Sequence, residues 1–318
     1  MNPIERLRAV LNNRTIVIYV ALVVFVGVAA AINPYVVGYS SVQTILQEVS
    51  FLGIVVLGQG IVMLSGGLDI SVGNVMFFVI VFGGNLMAMH PAQFGWLVLF
   101  CLAVGPVAGL FNGVGVAKLK ISPIVMTLAT SSLLYGSIYV FGNGRLSGAV
   151  HPALRAIGKM TFGDLMPLTG LIWLGLCALV ILVCYATVFG RRIYATGNNP
   201  RAAWLAGIRT DRVLILSYVF CGFTASLAGL LFLGFLGTPT LRFTDIYTMG
   251  SIAAAVLGGI EFFQGTGSIV GAIGGTLFIR FLFTFLVMMR VPEAGRMITQ
   301  GAILILVVAL HKLRGRFA

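Results

Sequence analysis

Charge-free, mostly apolar runs of about 20 residues, Thr15 to Ile32 and Val213 to Leu236 among them, constrain this chain more than any other feature. A helix of that length crosses the hydrocarbon core of a bilayer and satisfies its own backbone hydrogen bonds, which a lone strand or loop cannot do there. Only 9% of the 318 residues are charged and 59% are hydrophobic. A soluble domain carries about 25% charged residues, so a water-exposed surface cannot be built from this composition. The expected class is an all-α polytopic membrane protein, one transmembrane domain over residues 1–318 with about ten spanning helices.

The expected spans are 15–33, 43–64, 70–89, 94–116, 123–142, 168–189, 213–236, 246–260, 267–289 and 297–311. The net charge of +12 is spread in singles and pairs, which suits orientation in a bilayer and not a nucleic-acid partner. With a cytoplasmic N-terminus, 13 basic residues fall inside: Arg6, Arg8, Arg14, Lys118, Lys120, Arg191, Arg192, Arg201, Arg209, Arg212, Lys312, Arg314 and Arg316. Six fall outside (Arg145, Arg155, Lys159, Arg242, Arg290, Arg296), and Arg280 remains within a span. The bias predicts both termini in the cytoplasm, and an even number of spans. Thr15 to Ile32 is expected to be retained as a helix, since no small-residue cleavage site follows it.

Two polar islands interrupt the apolar background. Leu64-Ser-Gly-Gly-Leu-Asp-Ile-Ser-Val-Gly73 and Leu257-Gly-Gly-Ile-Glu-Phe-Phe-Gln-Gly265 both read Gly-Gly-aliphatic-acid, three residues, then Gly. Acids and glycines at or near spanning depth serve either function or packing. Gly66, Gly67 and Asp69 are therefore candidate gate residues, joined by Glu48 and Arg280, which lie within spans and could line a polar pathway or pair with each other. Two glycine ladders, Gly105/Gly109/Gly113 and Gly267/Gly271/Gly275, have the spacing that lets helices approach backbone to backbone in lipid. Packing is the expected role.

Enzymatic signatures are missing from the sequence. No Gly-x4-Gly-Lys-Ser/Thr loop occurs, and Gly265-Thr-Gly267 does not complete a dinucleotide fingerprint, since Val270 stands where its third glycine would be. His90, His151 and His311 are far apart, and Cys101, Cys177, Cys184 and Cys221 lie in apolar runs without ligand spacing. Neither a metal nor a cofactor is expected on this chain. The eight acids supply no relay of intramembrane carboxylates of the kind an ion-driven carrier uses.

Two connecting stretches are long. Residues 143–167 form an expected outer loop with an amphipathic patch, Leu154 to Met160. Residues 190–212 form an expected inner loop in which Asn198-Asn199-Pro200 starts a short helix and Gly207 ends it, with Ala202, Ala203 and Ala206 as a small-residue face. Such a helix fits docking into a groove on another protein, or lying on the membrane surface.

These segments resemble the ribose/xylose/arabinose-type permeases of bacterial ABC importers. The likeness is carried by Leu64 to Gly73, Lys118-Leu-Lys-Ile-Ser-Pro-Ile-Val-Met-Thr-Leu-Ala129, Gly190 to Ile208, Ala255 to Gly259 with Gly265 to Gly271, and the tail from Arg290 to Gly301. Glu261 departs from the small or neutral residue usual there. The resemblance implies a ten-helix permease of the vitamin B12-importer (type II) fold in the inner membrane, working as a homodimer or heterodimer. It implies two cytoplasmic ABC ATPases that bind ATP and Mg, and a periplasmic sugar-binding protein. It makes Gly197, Asn198, Asn199, Pro200, Ala203, Gly207 and Ile208 the ATPase-coupling segment. The expected function is ATP-coupled import of a small neutral sugar. The alternatives are a furanose-like signalling molecule (an autoinducer) as cargo, or an ion-coupled secondary transporter.

Overall fold

The computed structural model describes residues 14–142, 150–163, 165–239 and 244–314, and the rest of this account concerns those residues. Arg6, Arg8, Arg145, Arg242 and Arg316, and the first part of the expected outer loop at 143–149, lie outside them.

Helices occupy all ten expected segments: α1 (Arg14–Ile32), α2 (Tyr39–Leu64), α3 (Val72–Met89), α4 (Phe94–Ala117), α5 (Pro123–Gly142), then α7 (Leu168–Ala186), α10 (Thr210–Leu236), α11 (Thr244–Leu257), α12 (Ile269–Met288) and α13 (Glu293–Arg314). Between these come α6 (Pro152–Lys159), α8 (Val188–Asn198) and α9 (Pro200–Leu205). Among the described residues, 8 of the helices are long and apolar enough to cross a membrane. The two that fall short are α11, with 14 residues, and α13, which carries Glu293 and Arg296 in its first turn and Lys312 and Arg314 in its last.

α2 is the hub. Its residues from Val49 to Leu64 are all buried, and α10, α11, α12 and α7 pack around it. The glycine ladders explain how closely the helices approach. Gly105 and Gly222 face each other so tightly that a Cβ on either would strike the other's carbonyl, and Gly109 and Gly113 sit against the Tyr218 carbonyl and the Ile215 backbone. These contacts seat α4 on α10. Gly271 and Gly275 likewise sit against the carbonyls of Gly258 and Ala254, seating α12 on α11. α3 is interrupted by a π-helical turn at Val79–Gly83, a rare distortion of the helical ladder.

Within the described part of the expected outer loop, α6 is followed by a two-stranded hairpin pairing Thr161–Phe162 with Met166–Pro167. Gly158 of α6 lies against the Gly234 and Phe235 backbone, which fixes α6 to the end of α10. The expected inner loop is not a loop. α7 ends at Ala186, and Thr187 caps a new helix by accepting from the Gly190 N–H at 3.3 Å.

Candidate functional site

Each polar island begins as a helix C-cap. At the end of α2 the Gly67 N–H donates to the Val62 carbonyl and the Gly66 N–H to Met63, with Gly66 at φ +87°. At the end of α11 the Ile260 N–H donates to Ala255 and the Gly259 N–H to Val256, with Gly259 at φ +93°. Both are Schellman caps, in which glycine takes the left-handed position. The left-handed glycine is the first of the pair in one island and the second in the other, so the repeated spacing is not a register-true repeat.

The two acids of the islands differ accordingly. Asp69 is buried, and its Oδ1 accepts from the Ser71 N–H at 2.8 Å and the Ser71 hydroxyl at 2.6 Å. Ser71 Oγ in turn accepts from Asn112 Nδ2 at 2.9 Å, and Asn112 Oδ1 accepts from Thr130. Burial pushes the Asp69 carboxyl above the ordinary carboxylate range, while the bonds from Ser71 and Asn112 pull partly against it. Around it, the Tyr218 hydroxyl both accepts from Leu68 N–H and donates to the Leu68 carbonyl, and Thr127 and Thr248 accept from Ile70 and Gly73. The first island is thereby stitched to α4, α5, α10 and α11. Glu261 is half-buried and accepts from the Thr266 hydroxyl at 3.0 Å within its own turn.

The expected coupling segment is two helices with a bend between them. Asn199, in extended conformation, caps α9 by accepting from the Ala202 N–H at 3.0 Å, and Pro200 takes the first helical position. Gly207, at φ +82°, closes α9 with a third Schellman cap: Ile208 N–H to Ala203, Gly207 N–H to Trp204. Ala203 is buried against the protein, whereas Ala202 and Ala206 are exposed; the three alanines do not form one face. Trp204 and Leu205 are instead the outward side chains, at 65% and 72% exposure.

The bend is locked into both islands. Gly197 has no room for a Cβ, which would strike the Leu64 carbonyl and the Gly265 Cα. Gly265 sits at φ +62°, and a Cβ there would strike Asn198 N and the Gly197 backbone. A Cβ on Gly66 would lie 3.4 Å from Gly197 Cα. Three chain segments remote in sequence thus meet backbone to backbone at one end of the bundle. Sequence reasoning found each segment but not their meeting.

Glu48 and Arg280 lie elsewhere. Glu48 stands 16 residues before Leu64 on α2, about 24 Å along the helix axis. The Arg280 guanidinium is 3.8 Å from the Glu48 carboxylate and 5.2 Å from the centre of the Tyr247 ring. They border a cavity of about 320 Å³ between α2, α10, α11, α12 and α13, which Thr284, Glu293, Arg296 and Gln300 also line. Glu293 and Arg296 went unremarked in sequence as site residues, because the tenth span was expected to begin at 297 and α13 begins a turn earlier; Gln300, inside that span, carried no signal of its own.

Comparison with known proteins gives these features a family. The family described as "Branched-chain amino acid transport system / permease component" matches residues 41–308. The autoinducer 2 import system permease protein LsrC of Enterobacter sp. (strain 638) is 30% identical over 304 residues, 96% of this chain and 88% of the relative. Its counterpart in Yersinia pseudotuberculosis serotype O:3 (strain YPIII) is 33% identical, over 94% of this chain and 85% of the relative. That of Photorhabdus luminescens is 30% identical, over 95% and 91% respectively. No solved structure matches the chain.

Proposed function

The chain belongs to this family of ABC importer permeases, a polytopic helical membrane protein, and from that premise we propose that it is the transport subunit of a binding-protein-dependent importer. It carries a small neutral sugar-like molecule inward by alternating access. It has ten spans in the type II arrangement, both termini in the cytoplasm, and a second permease copy or a paralogue beside it. ATP and Mg are bound by two separate cytoplasmic ATPases, and a periplasmic protein delivers the cargo.

One observation carries the reading: the α8–α9 bend exposes Trp204 and Leu205 while inserting Gly197 between the two islands. An ATPase gripping α9 would move a backbone that has no slack against Gly66 and Gly265, and hence against the ends of α2, α11 and α12. Gly66, Gly67 and Asp69 then stand where an inner gate would open. Two ligands acting on one two-state element, the loaded binding protein outside and ATP inside, give the coupling its thermodynamic form. Gly197, Asn198, Asn199, Pro200, Ala203, Gly207 and Ile208 shape the joint, and the neighbouring Trp204 and Leu205 make the contact.

Within the sugar-like class, the names of the relatives favour a furanose-like signalling molecule over a plain pentose or hexose. The test is reconstitution of the permease in vesicles with an ABC ATPase and a periplasmic binding protein of such an importer, with labelled autoinducer 2 and D-ribose. ATP-dependent accumulation, and cross-linking of Leu205→Cys to the ATPase, are expected. Accumulation by the permease alone under an ion gradient, or cross-links from position 205 that reach lipid only, would overturn the proposal.

A further inference from the structure

The cavity beside Arg280 is lined by polar atoms that no described residue satisfies. Arg280 and Gln300 are 7% and 8% exposed. Nε and Nη2 of Arg280, Nε of Arg296, Nε2 of Gln300 and Oγ1 of Thr284 are all buried without a hydrogen-bond partner among the described residues. Leaving buried donors unpaired is costly, so such a concentration around one void points to a missing partner. The same wall offers an acceptor in the Glu48 carboxylate and aromatic faces in Phe232 and Tyr247. Arg280 and Arg296 are balanced by Glu48 and Glu293, so no net charge is presented to an occupant.

We infer that this cavity is a binding site for one neutral polyhydroxylated molecule of monosaccharide size, held during transit. The inference rests on the importer reading for the identity of the cargo. Unpaired guanidinium and amide donors demand ligand oxygens. Glu48 can accept from a ligand hydroxyl, and the Phe232 and Tyr247 rings give the wall an apolar part. An anion would gain from Arg280 and Arg296 but would meet the carboxylates of Glu48 and Glu293. A volume of about 320 Å³ is near the small end for ligand sites and admits one such molecule and not an oligosaccharide.

The experiment reads occupancy directly and transport separately. In the assembled complex, Thr284→Cys is alkylated and modification at 284 is followed by mass spectrometry, with D-ribose and autoinducer 2 as probes. One probe should slow modification at least about fivefold, and Gln300→Leu should abolish that protection. Gln300→Leu should also raise the KM for ATP-driven uptake about tenfold, the effect of one lost hydrogen bond to a buried donor. Absence of protection by both probes overturns the site even if the wild-type complex transports them. Protection without ATP-driven uptake leaves the site standing and overturns the importer reading instead.

Discussion

Asp69 and Gly197 show how much two small residues decide. The two hydrogen bonds from Ser71 to Asp69 end on Oδ1, from groups that donate to it. Burial raises its pKa, so the folded protein favours the protonated carboxyl and loses stability as pH rises through the raised value. Asp69→Asn keeps an Oδ1 acceptor without the buried charge. Its melting temperature relative to wild type should be highest in mildly alkaline buffer, and that advantage should shrink as the buffer is made acidic; an advantage independent of pH would contradict the account. Gly197→Ala forces a methyl against Leu64 and Gly265, and overpacking of this kind costs about 1–3 kcal/mol. Thermal unfolding in detergent should register that loss. Trp204→Ala, on an exposed side chain, should change stability by less than about 0.5 kcal/mol yet reduce ATP-driven uptake severalfold.

Among the elements, the closest contact is that of α4 with α10. Gly105→Leu should prevent the protein from accumulating in the membrane, because Gly222 on α10 cannot recede. A Cβ added at Gly136, on α5, meets nothing within 4 Å, and Gly136→Leu should accumulate normally. Fluorescence of a C-terminal fusion in detergent-solubilised membranes would compare the two. The elements themselves were legible in the sequence, because lipid imposes long apolar runs and because the Asn199-Pro200 and Gly207 caps are local chemistry. The boundary at Thr187 was not legible: an apolar run continues through Val188 and Phe189, and only the Thr187 hydroxyl marks the break. Neither was the burial of Ala203, since a two-turn helix of small residues gives no periodicity strong enough to say which side faces its own protein. The meeting of Gly66, Gly197 and Gly265 was hidden for another reason. Backbone-to-backbone contact leaves no side-chain pattern, only glycines, and this chain has 41 of them.

For the whole molecule, the glycine joint and the Arg280 cavity occupy opposite stretches of α2, about 24 Å apart. Substitutions that far apart with no shared partners add in stability to within about 0.5 kcal/mol. Gly197→Ala and Gln300→Leu combined should therefore show additive changes in thermal unfolding. Their effects on uptake should not add if one two-state element serves both places, since coupling between sites appears as a non-additive free energy. Strict additivity in both measurements would mean that joint and cavity work independently.

α2 is enclosed on every side from Val49 to Leu64. An ordinary spanning helix tolerates change wherever it touches lipid, so a saturation scan along it draws a stripe. Here the scan should draw a solid band, with aliphatic swaps penalised around the full circumference. On the importer reading proposed above, a rod with no free flank is the part expected to stay put, an axle about which whatever opens would turn.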